Sequence, residues 1–241
     1  MSAERKSFKS FERCCSTTAF RLLPRCGLGG VGKTQVANAL AHWTKKNKPE
    51  YTVLWVPAIS KASFEEAYVA IGEKVGIRAT EEQPDVQKLV CGHLSDDATG
   101  PWLLVVDNAD DFKLICGLSD SLDRYLPRNG NVRMLITTRT LPVSQQLADE
   151  TVDLKEFGLS DARVLAKRLL GSKWTNLVGD DESSSMDEML GELECLPLAI
   201  TQATAYIKTN NKPVTRYLEL LRGTDASRVD LLSKEIPDNT R

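Results

Sequence analysis

Gly27-Leu28-Gly29-Gly30-Val31-Gly32-Lys33-Thr34 decides how the rest of this chain is read. The octapeptide fits G-x-x-x-x-G-K-[ST]. Its glycines let the backbone curl until successive N–H groups point inward at phosphate oxygens. A helix beginning directly afterwards adds the positive end of its dipole. Lys33 brings an ammonium to the β- and γ-phosphates, and the Thr34 hydroxyl is a ligand for Mg²⁺. The candidate set for ATP/ADP is therefore Gly27, Gly29, Gly30, Val31, Gly32, Lys33, Thr34 and Gln35.

The surroundings suit that function. Phe20-Arg21-Leu22-Leu23 is a predicted strand feeding the loop, although Pro24 and Arg25 interrupt it and make it short or irregular, since Pro cannot donate to a ladder. Thr34 to Lys46 reads as a helix with Val36, Leu40 and Trp43 on one face. A second strand follows at Tyr51–Val56, then helices at Ser63–Val75 and Val86–Leu94. Trp102-Leu103-Leu104-Val105-Val106 is a continuous apolar run of the kind a strand buried on both faces requires, closed by Asp107. Val132 to Arg139 is another strand, and Thr151–Leu154 a short one.

From Ser160, read as a helix cap, the strand pattern gives way to helices ending at Leu170, then Met186–Leu193, Pro197–Lys208 and Val214–Leu221, with Asp180–Ser185 as a polar loop. The fold class is α/β: a P-loop parallel sheet flanked by helices, followed by a small all-α subdomain. The predicted divisions are an irregular arm over 1–19, a nucleotide-binding domain over 20–158, a helical subdomain over 159–235 and a tail over 236–241.

Two further pieces converge on the same edge. An apolar strand that delivers Asp107 to the carboxyl end of the sheet is the arrangement that holds Mg²⁺ directly or through water. The plainer alternative is an Asp opening a turn. Thr137-Thr138-Arg139 ends its own strand where α/β proteins bind ligands, and Arg139 there reaches a γ-phosphate and separates triphosphate from diphosphate. The plainer alternative is a solvent-facing Arg. The catalytic candidates are thus Asp107 and Arg139, and the metal candidates Thr34 and Asp107. Position 108 is Asn, which cannot take a proton from water at neutral pH. Asp110 and Asp111 stand nearby in a turn, and the expected turnover is slow.

Composition narrows the classes. A hydrophobic content of 41% supports a core, and a net charge of −2 gives no global pull toward nucleic acid or an anionic membrane. Arg5, Lys6, Lys9, Arg13, Arg21 and Arg25 outnumber Glu4 and Glu12 at the start, as in a solvated tail. No apolar run reaches the roughly 18 residues of a membrane span, and no signal-type apolar segment opens the chain. The six cysteines lack paired spacing, so reduced thiols and a cytoplasmic location are expected. Cys91-Gly92-His93 is half of a metal motif without its second half.

With these pieces assembled, residues 20 to 235 resemble an NB-ARC domain, the nucleotide switch of STAND NTPases in NLR-type receptors, and its fungal versions above all. The resemblance rests on the Gly27–Thr34 loop, on Leu103-Leu104-Val105-Val106-Asp107-Asn108-Ala109-Asp110-Asp111, on Ile136-Thr137-Thr138-Arg139 and on Leu196-Pro197-Leu198-Ala199. It implies an ADP/ATP-binding regulatory module with slow or no hydrolysis, in which Arg139 senses the γ-phosphate and Pro197 packs near the adenine and phosphates. It implies as partners an adenine nucleotide and further copies or full-length relatives; on charge and apolar run length, neither nucleic acid nor membrane is an expected partner. Three departures stand out. Cys195 replaces the family's Gly before Leu-Pro-Leu, residues 1–20 lack the family's adenine-contacting segment, and the chain stops at Arg241, about where a winged-helix domain would begin.

Two other classes fit the same loop. A P-loop kinase or motor-type ATPase is the enzyme reading: a kinase would need an Arg-bearing lid over the phosphates, and a ParA-type ATPase a Lys at the loop's second position, which is Leu28. A scaffold with a relict loop would bind no nucleotide. No Asn-Lys-x-Asp guanine-reading motif is present, since Asn47-Lys48-Pro49-Glu50 lacks the Asp.

Overall fold

The computed structural model describes residues 21–25, 30–81, 83–117, 120–128, 131–147, 150–154, 156–171 and 180–223; for 21–25, 150–153 and 180–183 the backbone alone is described. The expected arm at 1–19, Gly27 and Gly29 of the loop, and the tail lie outside these residues. Described residues fall into two compact units: a sheet unit running to Leu154, and a helical unit from Lys155 onward that also takes in Gly30–Gly32.

In the sheet unit the elements run β1 (Arg21–Arg25), α1 (Lys33–Asn47), β2 (Thr52–Pro57), α2 (Lys61–Val75), α3 (Val86–Leu94), β3 (Trp102–Asp107), α4 (Phe112–Cys116), a 3₁₀ turn at Leu122–Tyr125, β4 (Val132–Ile136), α5 (Leu141–Leu147) and β5 (Glu150–Asp153). The strands form one parallel sheet in the order β2-β3-β4-β1-β5. β4 is therefore interposed between the strand that feeds the loop and the strand that ends in Asp107.

Pro24 does not break β1. Its register with β4 covers only Arg21 and Leu22, whereas Leu22 to Arg25 pair with β5. The missing N–H falls beyond the last β4 partner, so the strand runs two residues past the expected end at Leu23.

The alternation of β3 divides the core into two layers. Leu104 and Val106 face one side of the sheet with Leu54, Val56, Met134 and Ile136, packed against Phe64, Tyr68 and Ile71 of α2 and Val90 and Leu94 of α3. Leu103 and Val105 face the other side with Leu135, under Ala37, Leu40 and Ala41 of α1. All six residues of β3 are buried, as its unbroken apolar run requires. Phe64 stacks on Tyr68 at 4.5 Å, and the Tyr68 hydroxyl donates to the Tyr125 carbonyl at 2.7 Å. α2 begins at a capping box in which Ser63 takes the place usually held by Glu, and it stops at Gly76 in the left-handed region.

The helical unit holds α6 (Leu159–Leu170), α7 (Asp180–Glu192), α8 (Pro197–Asn210) and α9 (Val214–Arg222). Val214, Tyr217, Leu218 and Leu221 form the buried stripe of α9, with Met186, Met189, Leu190, Ile200, Ala203 and Ile207 opposite. Arg222 pairs with Glu188 at 2.9 Å and Glu192 at 3.1 Å, and Arg163 with Asp187, tying α7 to its neighbours.

Asp180–Ser185 is helix, not loop: it forms the first turns of α7, a place that acidic and hydroxyl residue types favour as readily as a loop. Ser160 is not a cap, because α6 starts from Gly158 with no side-chain cap.

Among the described residues Cys91, Cys116 and Cys195 are free thiols, and burial pushes Cys116 up to about 11. No helix among them is long and apolar enough to cross a membrane, and no cluster of three His, Cys, Asp or Glu fit to hold a metal occurs among them.

Candidate functional site

Gly30 and Gly32 have φ of +89° and +93°, a region closed to most side chains. At Gly32 nothing stands within 4 Å of where a Cβ would be, so backbone conformation alone calls for glycine there. At Gly30 a Cβ would also come within 3.2 Å of Leu198 Cβ, and the Leu198 N–H donates to the Gly30 carbonyl at 3.1 Å. Lys33 and Thr34 then open α1, with Val31 and Lys33 buried and Gln35 exposed.

Asp107 continues the alternation of Leu103 and Val105, which points its carboxylate toward the α1 layer. The same parity carries Leu135 to Thr137 beyond β4. The three polar side chains meet as that geometry demands. The Thr34 hydroxyl lies 3.0 and 3.2 Å from the two Asp107 oxygens, and the Thr137 hydroxyl donates to Asp107 Oδ1 at 2.5 Å. The Asn108 N–H donates to Thr137 Oγ1 at 2.9 Å, which leaves that hydroxyl's own hydrogen for the carboxylate. The backbone binds the same segments together: Thr137 N–H to the Val106 carbonyl and Ala109 N–H to the Thr137 carbonyl, both 2.9 Å. Asn108 itself has φ of +60°, a left-handed turn that Asn tolerates.

The role of Thr137 escaped the sequence reading, which singled out the tripeptide for Arg139. Strand parity could have found it, since Thr137 stands two residues after an apolar position on the α1 face.

Arg139 is 58% exposed and already engaged. Its backbone N–H donates to Asp110 Oδ1 at 2.5 Å and its Nε to Asp110 Oδ2 at 2.7 Å. Asp111 accepts from the Lys113 and Leu114 N–H groups as the cap of α4. Each of the carboxylates flanking Asn108 on its carboxyl side thus has a structural occupation. β4 ends at Ile136, not at Arg139, because Thr137 to Thr140 turn into this hydrogen-bonded loop, where the Thr140 hydroxyl donates to the Asp110 carbonyl at 3.2 Å.

Pro197 stands in the first turn of α8, as expected from its missing N–H. Glu194 and Cys195, just before it, both have positive φ, +51° and +52°. That conformation suits the glycine which the resemblance leads one to expect at 195.

No family model matches the chain. A nucleotide-binding leucine-rich repeat (NLR)-like protein of Hyaloscypha variabilis is 31% identical over 247 residues, covering 97% of this chain and 24% of its own length. The chain therefore spans about a quarter of that relative. Among solved structures, the Aeropyrum pernix ORC1 protein in complex with DNA superposes with a TM-score of 0.60 at 14% identity, over 95% of this chain and 64% of its own. C. elegans PCH-2 does so with a TM-score of 0.55 at 14% identity, over 88% and 60%. At such identities the likeness shows a shared fold.

Proposed function

We propose, from the premise that the chain is a homologue of an NLR-like protein, that it is a nucleotide-binding switch module: it takes ADP or ATP with Mg²⁺ and turns it over slowly or not at all. The observation that carries this is the meeting of the Thr34 hydroxyl, the Asp107 carboxylate and the Thr137 hydroxyl at the carboxyl end of the parallel sheet. A Thr hydroxyl beside a carboxylate is a hard oxygen donor set, which Mg²⁺ takes together with phosphate oxygens and water. When bound, the ion would offset phosphate charge, held by Thr34 and Asp107.

The chain's own residues would do the rest. Backbone N–H groups of Gly29 to Gly32 and the ammonium of Lys33 would hold the phosphates, with Gly27, Val31 and Gln35 shaping the loop around them. Thr137 would fix the aim of Asp107, and Arg139 would meet a third phosphate. Asn108 accepts no proton, Asp110 is occupied by Arg139 and Asp111 by the start of α4. These occupations favour a switch over a fast ATPase or a kinase, because no carboxylate of this turn is left to draw a proton from water. The net charge of −2 favours a nucleotide over nucleic acid as the partner.

Denaturing the purified protein and chromatographing what it releases tests this reading. Adenine nucleotide is the expected product. Protein that carries none and fails to bind added Mg-ADP would favour the relict scaffold, and hydrolysis at several turnovers per second would favour the ATPase.

A further inference from the structure

We propose that Asp110 is a charge counterweight on Arg139, set to restrain the preference of the site for a nucleoside triphosphate over a diphosphate. This rests on the nucleotide-binding reading above and adds a residue that governs which nucleotide the site favours.

The pairing is built from both partners. One carboxylate takes the Arg139 backbone N–H on one oxygen and Nε on the other, so the side chain is fixed where it leaves its own main chain. The carboxylate is in turn held by its loop. The Asp110 N–H donates to the Asn108 carbonyl at 2.9 Å across the left-handed turn at Asn108, and the Thr140 hydroxyl donates to the Asp110 carbonyl at 3.2 Å. Asp110 is 23% exposed, so its charge is partly shielded from water.

A guanidinium has five N–H donors, and Nε spends one of them here. The Nη groups of Arg139 make no hydrogen bond among the described residues and remain for a ligand. A terminal phosphate arriving there would meet a cation whose charge is already offset, and would bring a second anion close to the first. A diphosphate, one group shorter, would not face this repulsion. The pair stands two residues beyond Thr137, which itself bonds to Asp107, so the counterweight is tied to the same sheet edge as the candidate metal ligands.

The test is calorimetric titration of the full chain with Mg-ADP and with the Mg complex of a non-hydrolysable ATP analogue, for the parent, Asp110→Asn, Arg139→Gln and the double variant. Asn keeps an acceptor for the Arg139 N–H and removes the charge. Asp110→Asn is expected to tighten the triphosphate analogue by about three- to fivefold, the scale of a partly exposed ion pair, and to leave ADP unchanged. The gain should shrink as salt is raised and vanish in the Arg139→Gln background. An unchanged affinity ratio in Asp110→Asn overturns the inference. A shift toward diphosphate also overturns it, and would make Asp110 a residue that aims Arg139. If the parent binds both nucleotides and the ratio does not move, this inference alone fails; if the parent binds neither, the nucleotide-binding reading fails and takes it along.

Discussion

Asp107 and Asp110 stand three residues apart at the end of one strand and meet opposite kinds of partner. Asp107 is 6% exposed and takes hydrogens from two hydroxyls; Asp110 is more open and takes a guanidinium that is largely in water. Hydroxyls orient a carboxylate but leave its charge in place, whereas a guanidinium offsets it. Each position is therefore suited to a different kind of partner. A buried anion whose direction is fixed by strand alternation is suited to a cation that comes and goes. A surface ion pair in high dielectric contributes little to the fold and is free to be tuned.

The largest effect is expected at the loop. Lys33→Ala is expected to weaken nucleotide binding by roughly 2 kcal/mol or more, since a charge-assisted contact is lost; a Kd unchanged by titration calorimetry would leave Asp107 without a ligand to serve. Next comes the buried member. Thr137→Val keeps the shape and removes the hydroxyl that joins Asp107 to the Asn108 N–H. Urea denaturation should report a loss of about 1–3 kcal/mol, the cost of stranding buried polar groups.

A change outside both carboxylates calibrates the scale. Cys195→Gly relieves a left-handed residue and should stabilise the protein by about 1 kcal/mol, read as a higher urea midpoint. A lower midpoint would mean that the packing of Cys195 against the helical core outweighs its backbone strain. The smallest effect belongs to the exposed pair: Arg139→Gln should alter unfolding free energy by less than about 0.5 kcal/mol. If it costs as much as Thr137→Val, the contrast between the two carboxylates is lost.

Much of the fold was legible because its decisive segments are self-contained. Trp102–Asp107 and Val86–Leu94 have the boundaries that their apolar runs and flanking turns predict. Asp180–Ser185 was misread because acidic and hydroxyl side chains favour loops and helix starts alike, and the apolar stripe that anchors α7 begins only at Met186. α4 and α5, at five and seven residues, are too short to display a period. In the candidate site, Lys33, Thr34 and Asp107 announce themselves through local pattern. The partner of Arg139 does not: Asp110 lies 29 residues earlier and meets it only once β3 and β4 pair in register. The cap at Asp111 could have been read from the short helix it opens, had that helix been visible.

The shared parity of β3 and β4 limits how this sheet can change over time. Loss or gain of a single residue within either strand would swing Asp107 or Thr137 to the layer beneath α2 and carry an aliphatic side chain to the Thr34 side. Changes of two residues preserve the facing. Length variation in homologous chains should therefore gather in the connections before these strands, and where it enters the strands it should come in pairs.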